Sequence, residues 1–258
     1  MKRNQGKSKE RGRNRPDVPG DRIARTDLLR QAKARQVAEE ESVLKGVLGD
    51  SSTFLSIEGI TRIRERLRVD TPRVAAPEIR RRDVRIVDRG PSGHRVDEPP
   101  PWPAVPRILE MLFACLHRLN DRGTCPLLMA AVVHHGVVAV HPFLNGNGRT
   151  ARVLASAVAG RGPESCRVHV SRSFGGDPES YYRLVGRTLY CPEAFDTWLE
   201  FITHGTAMGK RLGGRDCRGA GACGYRFDFD GVLKDYRSFL LRMKDLSNEF
   251  SSGTDRRS

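Results

Sequence analysis

From Leu127 to Val140 the chain is apolar except for His134, His135 and Gly136, and two histidines follow one another in its middle. Such a run is too short to cross a bilayer, which needs about 20 residues as a helix. Wound as an α-helix it is apolar on nearly every side, so it is stable only when other elements surround it. That requirement predicts a central buried helix inside a helical bundle, which makes the chain mainly α.

Partners for this helix are legible on both sides. Ile108, Leu112, Leu116 and Leu119 share one helical face, ending near Asn120 to Gly123. A helix from about Gly148 to Ala159 is closed by Gly160 and Gly162-Pro163. Asp177-Pro178 is a cap and first-turn pair for a helix through Tyr190, and Pro192 starts another that carries Phe195, Trp198, Leu199 and Ile202. Phe227 to Phe250 gives a last amphipathic helix with Val232, Tyr236, Phe239 and Met243 on its face. Upstream, Thr26 is read as the cap of a helix to about Leu48, and Ile60, Ile63 and Leu67 recur at helical spacing after Gly59. Alternation from Val84 to Arg89 with a turn at Gly90 to Gly93 predicts a small β-hairpin, followed by the proline-rich connector Pro99 to Pro106. The expected organisation is a disordered basic arm at 1–22, a helical segment at 23–79, a core at 80–204, and a linker with a final helix at 205–258.

Charge separates the arm from the rest. The 258-residue chain has a formal net charge of +14, and its first sixteen residues hold seven Lys or Arg against Glu10 alone. A basic arm of this kind is a solvated tail that fits nucleic acid or an acidic surface. No apolar segment follows the early charges, so a secretory signal is not expected. The six cysteines, Cys115, Cys125, Cys166, Cys191, Cys217 and Cys223, show no paired CxxC spacing, which is the usage of reduced thiols in a cytoplasmic protein.

Chemistry concentrates at the C-terminal end of the central helix, in His141-Pro142-Phe143-Leu144-Asn145-Gly146-Asn147-Gly148-Arg149-Thr150-Ala151-Arg152. Two glycines allow successive N–H groups to converge, and the next helix adds its positive N-terminal dipole at the same point. Arg149 and Arg152 lie one turn apart on that helix. Two guanidinium groups beside an anion nest suit a polyphosphate. His141 is the one group in the loop that takes a proton near neutral pH. A base beside a phosphate cradle implies phosphoryl or nucleotidyl transfer.

This segment resembles the signature loop of the Fic/DOC family, His-x-Phe-x-(Asp/Glu)-Gly-Asn-Gly-Arg-x-x-Arg, with Asn145 at the acidic position. His134, the Val84 to Gly93 hairpin, Pro99-Pro100-Pro101 and Tyr181-Tyr182 resemble further family features, so the likeness runs over roughly Arg80 to His204. It implies a Fic-type helical bundle with a hairpin flap. It also implies a protein adenylyltransferase in the cytoplasm that moves AMP from ATP onto a Ser, Thr or Tyr hydroxyl of a target protein. In that reading His141 is the base and Phe143 packs inward. Gly146, Asn147, Gly148, Arg149, Arg152, Tyr181 and Tyr182 bind the nucleotide. Mg²⁺ or Mn²⁺ sits on the phosphates beside residue 145, where Asn145 offers a neutral carbonyl oxygen in place of the carboxylate a hard dication prefers.

Ser56-Ile57-Glu58-Gly59 resembles the end of the family's inhibitory motif, with Phe54 where Ser or Thr is usual. The resemblance then has Glu58 pair with Arg152 and block the γ-phosphate position. Two other functions stay open from the sequence: a Fic-like enzyme with another nucleotide or phosphate donor, and a nucleic-acid-binding protein with an inactive loop. Expected partners are a target protein and, for a homodimer, a second copy of the chain, with nucleic acid a weaker candidate through the arm and no membrane.

Overall fold

The structure, a computed structural model, describes residues 19–48, 54–67, 78–88, 95–162, 178–204 and 226–254. Among them are eight α-helices, named here α1 (Pro19–Leu48), α2 (Ile57–Arg66), α3 (Val105–Asp121), α4 (Pro126–Val140), α5 (Asn147–Ala159), α6 (Pro178–Thr188), α7 (Phe195–His204) and α8 (Phe229–Thr254). Two short strands, β1 (Ile86–Asp88) and β2 (Arg95–Asp97), pair antiparallel with Val87 opposite Val96. The protein is therefore mainly α, as the buried central run requires. The basic arm before residue 19, the hairpin turn and the linker at 205–225 lie outside the described residues.

The chain divides into two compact units, Met1–Ala38 and Glu39–Ser258. In the first, the described residues form the opening turns of α1. The second holds the rest of α1 and everything after it. The sequence places the helix start at Thr26, but α1 begins at Pro19. Pro19 is tolerated in a first turn, where its missing N–H costs nothing, and no breaker stands between Gly20 and Thr26.

α4 is the centre of the larger unit. Every residue from Pro126 to Val137 is buried, and the helix packs against α3, α5, α7 and α8. α3 presents Ile108, Leu112, Leu116 and Leu119 as its sequence periodicity predicts, together with Val105, Leu109 and Cys115. α7 contributes Phe195, Trp198, Leu199 and Ile202, although Pro192–Ala194 is a 3-10 turn and the α-helix starts only at Phe195. α8 closes the bundle with Val232, Tyr236, Phe239 and Met243.

Two histidines inside this core have polar neighbours. The His135 Nδ1 lies 2.9 Å from the Tyr236 hydroxyl and its Nε2 lies 3.2 Å from the Thr188 hydroxyl. The His134 Nε2 lies 2.9 Å from the Tyr181 hydroxyl, and its ring stacks on Trp198 at 5.1 Å between centroids. Burial holds His135 down to about 3, and burial, then Arg152 and His135, hold His134 well below the ordinary imidazole value. Both rings are neutral at physiological pH.

α2 has a defined start. Ser56 is extended and its hydroxyl accepts from Gly59 N at 3.0 Å, which satisfies one orphan donor of the first turn. A Cβ on Gly59 would lie 2.5 Å from the Phe54 carbonyl oxygen and the same distance from its Cα, contacts that only backbone movement relieves. Gly59→Ala is expected to cost about 1–3 kcal/mol by opening this cap and straining the chain at Phe54. The measurement is the thermal midpoint against wild type; an unchanged midpoint would show that the segment before α2 yields freely.

Candidate active site

α4 ends at His141, whose φ of 50° and ψ of 57° place it in the left-handed region, with its N–H donating to Val137 O at 3.0 Å. This left-handed turn ends the helix and begins the loop. The His141 Nδ1 faces Val138 O at 3.4 Å, a geometry in which Nδ1 carries the hydrogen and Nε2 keeps its lone pair. Burial lowers its pKa to about 4, against the weak raising effect of that carbonyl and with a further lowering from Arg80. At neutral pH His141 is thus a base ready to accept a proton.

Arg80 fixes this end of the loop. It is 2% exposed; its Nε donates to His141 O at 2.8 Å, one NH2 hydrogen goes to Pro100 O, and its own N–H donates to Pro142 O at 2.8 Å. One buried guanidinium therefore ties the hairpin's base to the residue that carries the base. In the sequence Arg80 is the first of three consecutive arginines, and nothing in that run marks it as the buried one.

The middle of the loop is held by Phe143, 1% exposed, and by Asn147. The Asn147 amide donates to Phe143 O at 2.8 Å and its oxygen accepts from Phe143 N at 2.9 Å, which closes the loop into a ring. The Asn147 side chain thus braces the loop, while its second amide hydrogen and its main-chain N–H at the helix start stay outside that ring. Gly146 caps α5 with a φ of 74°, a conformation that costs glycine nothing. Its carbonyl accepts from Thr150 N at 2.9 Å and from the Thr150 hydroxyl at 3.0 Å. The opening N–H groups of α5, at Asn147, Gly148 and Arg149, have no partner within their own helix and form the anion nest.

Arg149 and Arg152 stand beside this nest, each facing a carboxylate from the end of α1. Arg149 NH1 lies 3.4 Å from Glu39 Oε2. Arg152 grips Glu40 with two bonds, NH2 to Oε1 at 2.5 Å and Nε to Oε2 at 3.1 Å. The other Glu39 oxygen, Oε1, is buried without a hydrogen bond. Glu58, read from the sequence as the partner of Arg152, instead pairs with Arg62 four residues along its own helix, and its side chain is 75% exposed. The physical reason is local: the Ser56 cap directs the first turn of α2 so that Glu58 points to solvent, while Gly59 faces Phe54. The sequence signal for the true pair was weak, because Glu39-Glu40-Glu41 reads as an ordinary solvated acidic stretch.

Tyr181 is 3% exposed, with its hydroxyl on His134 and its ring in the T-shaped orientation against that imidazole. It serves the core, and its expected role in binding nucleotide is corrected on that ground. The side chain of Tyr182 lies outside the described residues.

Asn145 is the residue expected to face a metal. Its side-chain oxygen accepts from an Arg64 NH2 hydrogen and its main-chain oxygen accepts from Arg64 Nε at 3.0 Å. An oxygen already bound to a guanidinium, with a full positive charge against it, does not suit a divalent cation. Among the described residues no group of three or more His, Cys, Asp or Glu side chains is placed to hold a metal ion. The residues present do not fit the expected Mg²⁺ or Mn²⁺ as a protein-held ion. No helix among the described residues is long and apolar enough to cross a membrane.

Comparison with known proteins gives this loop a context. The Fic/DOC family model matches residues 54–159. Protein adenylyltransferase fic-1 of Caenorhabditis briggsae is 44% identical over 54 residues, which are 20% of this chain and 11% of that protein. Protein adenylyltransferase Fic of Drosophila mojavensis is 30% identical over 108 residues, 41% of this chain and 19% of that protein. The matched stretches thus span a fifth or less of these relatives' lengths. A Fic domain containing signaling protein from Bacteroides thetaiotaomicron superposes with a TM-score of 0.47 at 15% identity, over 83% of this chain and 72% of that one.

Proposed function

Given that this chain is a Fic/DOC-family protein, with its family domain at residues 54–159, we propose that it is a protein adenylyltransferase that moves AMP from ATP onto a hydroxyl of a target protein. The observation that carries this reading is a neutral His141 at the mouth of a glycine-rich helix start flanked by Arg149 and Arg152. A binding module that only holds phosphate has no use for a base in that place.

In the proposed reaction His141 Nε2 takes the proton from a Ser, Thr or Tyr hydroxyl. The oxygen attacks the α-phosphorus, a new P–O bond forms, and the bond to the β-phosphate oxygen breaks so that pyrophosphate leaves. The α5 N–H groups and the two arginines bear the negative charge of the triphosphate. Positioning and charge stabilisation supply most of the acceleration in transfers of this kind. Arg80 and Asn147 keep the loop in shape while this happens. A cytoplasmic setting, as the sequence suggests, would supply both ATP and protein targets.

The Glu40 carboxylate occupies the guanidinium that the distal phosphate would use. Arg152 and Glu40 are each about one-sixth exposed, so their charge-assisted pair is stronger than a surface one. The resting arrangement is therefore self-inhibited, by the end of α1 rather than by Glu58. Glu40→Gln is expected to raise transfer by roughly tenfold, the effect of removing a competing contact of about 1.4 kcal/mol, while Glu58→Gln leaves it unchanged.

The test is retention of label on protein after incubation with α-labelled ATP, and in parallel CTP, GTP and UTP. Label from ATP that increases with Glu40→Gln supports the reading. Label from another nucleotide replaces ATP as donor, and no label from any of them overturns the transferase. Equal labelling of wild type and Glu40→Gln overturns the inhibition.

A further inference from the structure

Arg64 projects from α2 onto the phosphate loop and is 6% exposed. Its acceptors are the Asn145 main-chain and side-chain oxygens and, at 3.3 Å from NH1, the Leu67 carbonyl. All three are neutral. Burying a full charge is costly unless an opposite charge answers it, and among the described residues no carboxylate faces Arg64. The two arginines on α5 differ in this respect, since Glu39 and Glu40 face them.

The place of this charge is informative. A Cβ on Gly146 would lie 2.9 Å from Arg64 Nε, so the guanidinium rests on the first glycine of the anion nest. Burial first, then the positive charge of Arg149, lower the Arg64 pKa. Three of the five N–H donors of a guanidinium are used by Asn145 and Leu67, which leaves two for another acceptor. Asn145 is suited to this arrangement. A carboxylate at residue 145 would hold Arg64 equally well but would neutralise it, whereas an amide fixes the guanidinium and leaves its whole charge to an incoming anion.

We propose that Arg64, seated on Asn145, is a third phosphate-binding cation, and that with Arg149 and Arg152 it lets this chain hold the triphosphate of its nucleotide without a protein-bound divalent ion. The proposal rests on the nucleotide-transferase reading of the same site. It assigns to Asn145 the role of aligning a fixed organic cation in place of ligating a metal.

The experiment is equilibrium dialysis of the full chain against α-labelled ATP, in excess EDTA and again in excess Mg²⁺. Wild-type affinities in the two conditions are expected to agree within about threefold, and Arg64→Gln is expected to weaken binding in EDTA by about tenfold or more, the usual scale for a hydrogen bond to a charged group. Asn145→Asp should weaken it in the same direction by pairing off Arg64, and Arg64→Lys should fall between wild type and Gln. Because Arg64 also supports the loop, the wild-type comparison tests the idea without any substitution. ATP bound only with Mg²⁺ overturns the role of Arg64 and leaves the transferase standing. ATP bound in EDTA, with no label ever transferred to protein, supports Arg64 and overturns the transferase. No binding in either condition overturns both.

Discussion

Replacing His141 by Asn is expected to reduce label transfer by roughly a hundredfold or more, the scale on which a general base contributes, while leaving the fold intact. Asn is the informative substitution because residue 141 has a φ of 50°, a left-handed conformation that Asn tolerates and Ala resists. His141→Ala removes the same base but adds a backbone penalty of about 1–2 kcal/mol, so any loss of activity would be mixed with loss of stability. The companion measurement is the pH dependence of kcat/KM for wild type. The rate should stay level from pH 8 down to about 5 and fall only as His141 protonates near its lowered value of about 4. An acid limb near the ordinary imidazole value, or a His141→Asn protein that still transfers label, would remove His141 from the role of base.

Acid should unfold this protein well above the range where carboxylates titrate. The folded chain keeps His134, His135 and His141 neutral, with His135 held to about 3 and His141 to about 4. The unfolded chain protonates all three near 6.5, so below that pH it binds more protons than the folded one. Stability is then fully present above about pH 6.5 and is lost as pH falls toward the folded values. At pH 5 the loss from His135 and His141 together is about 4 kcal/mol, at roughly 1.4 kcal/mol per unit for each, and His134 acts in the same direction. The thermal midpoint is expected to drop by about 10 °C or more between pH 7 and pH 5. His135→Gln, which keeps a polar group opposite Tyr236, should flatten part of that slope. A midpoint that does not move over this range would mean that the imidazoles gain protons in the folded core.

The helices were legible because burial imposes a period. α3, α7 and α8 each bury the face that their spacing indicates, and α4, with no face at all, is the buried centre. The loop was legible because a histidine, glycines and arginines in that order resemble a known family's signature. What escaped was the assignment of charges. Arg64 and Arg80 are both nearly inaccessible, yet each lies among other arginines that are exposed or half-exposed, and local pattern does not say which guanidinium turns inward. Glu40 and Glu58 show the same limit. Both are acidic residues upstream of the loop, and only the approach of Glu39 and Glu40 to α5 and the capped turn of α2 decide that Glu40 reaches Arg152. Tyr181 differs in the opposite sense. A hydroxyl read as a ligand contact is taken by His134, because a buried donor without a partner costs more than a binding site gains from leaving it free.

The hydrogen bond between His135 and Tyr236 joins residues 101 apart, and beside it Cys125 N donates to Arg226 O at 2.7 Å while Arg226 N donates to Gly123 O at 2.6 Å. The helix at the centre of the protein is thus completed by a segment that follows it by 101 residues at this contact. On the ribosome α4 must wait, with its apolar surface partly uncovered, until α8 has emerged and the loop between them has closed. Folding through such distant contacts is slow and leaves sticky intermediates exposed to aggregation. The glycine-rich loop, which hangs from the end of α4, is fixed in place only when synthesis has passed α8.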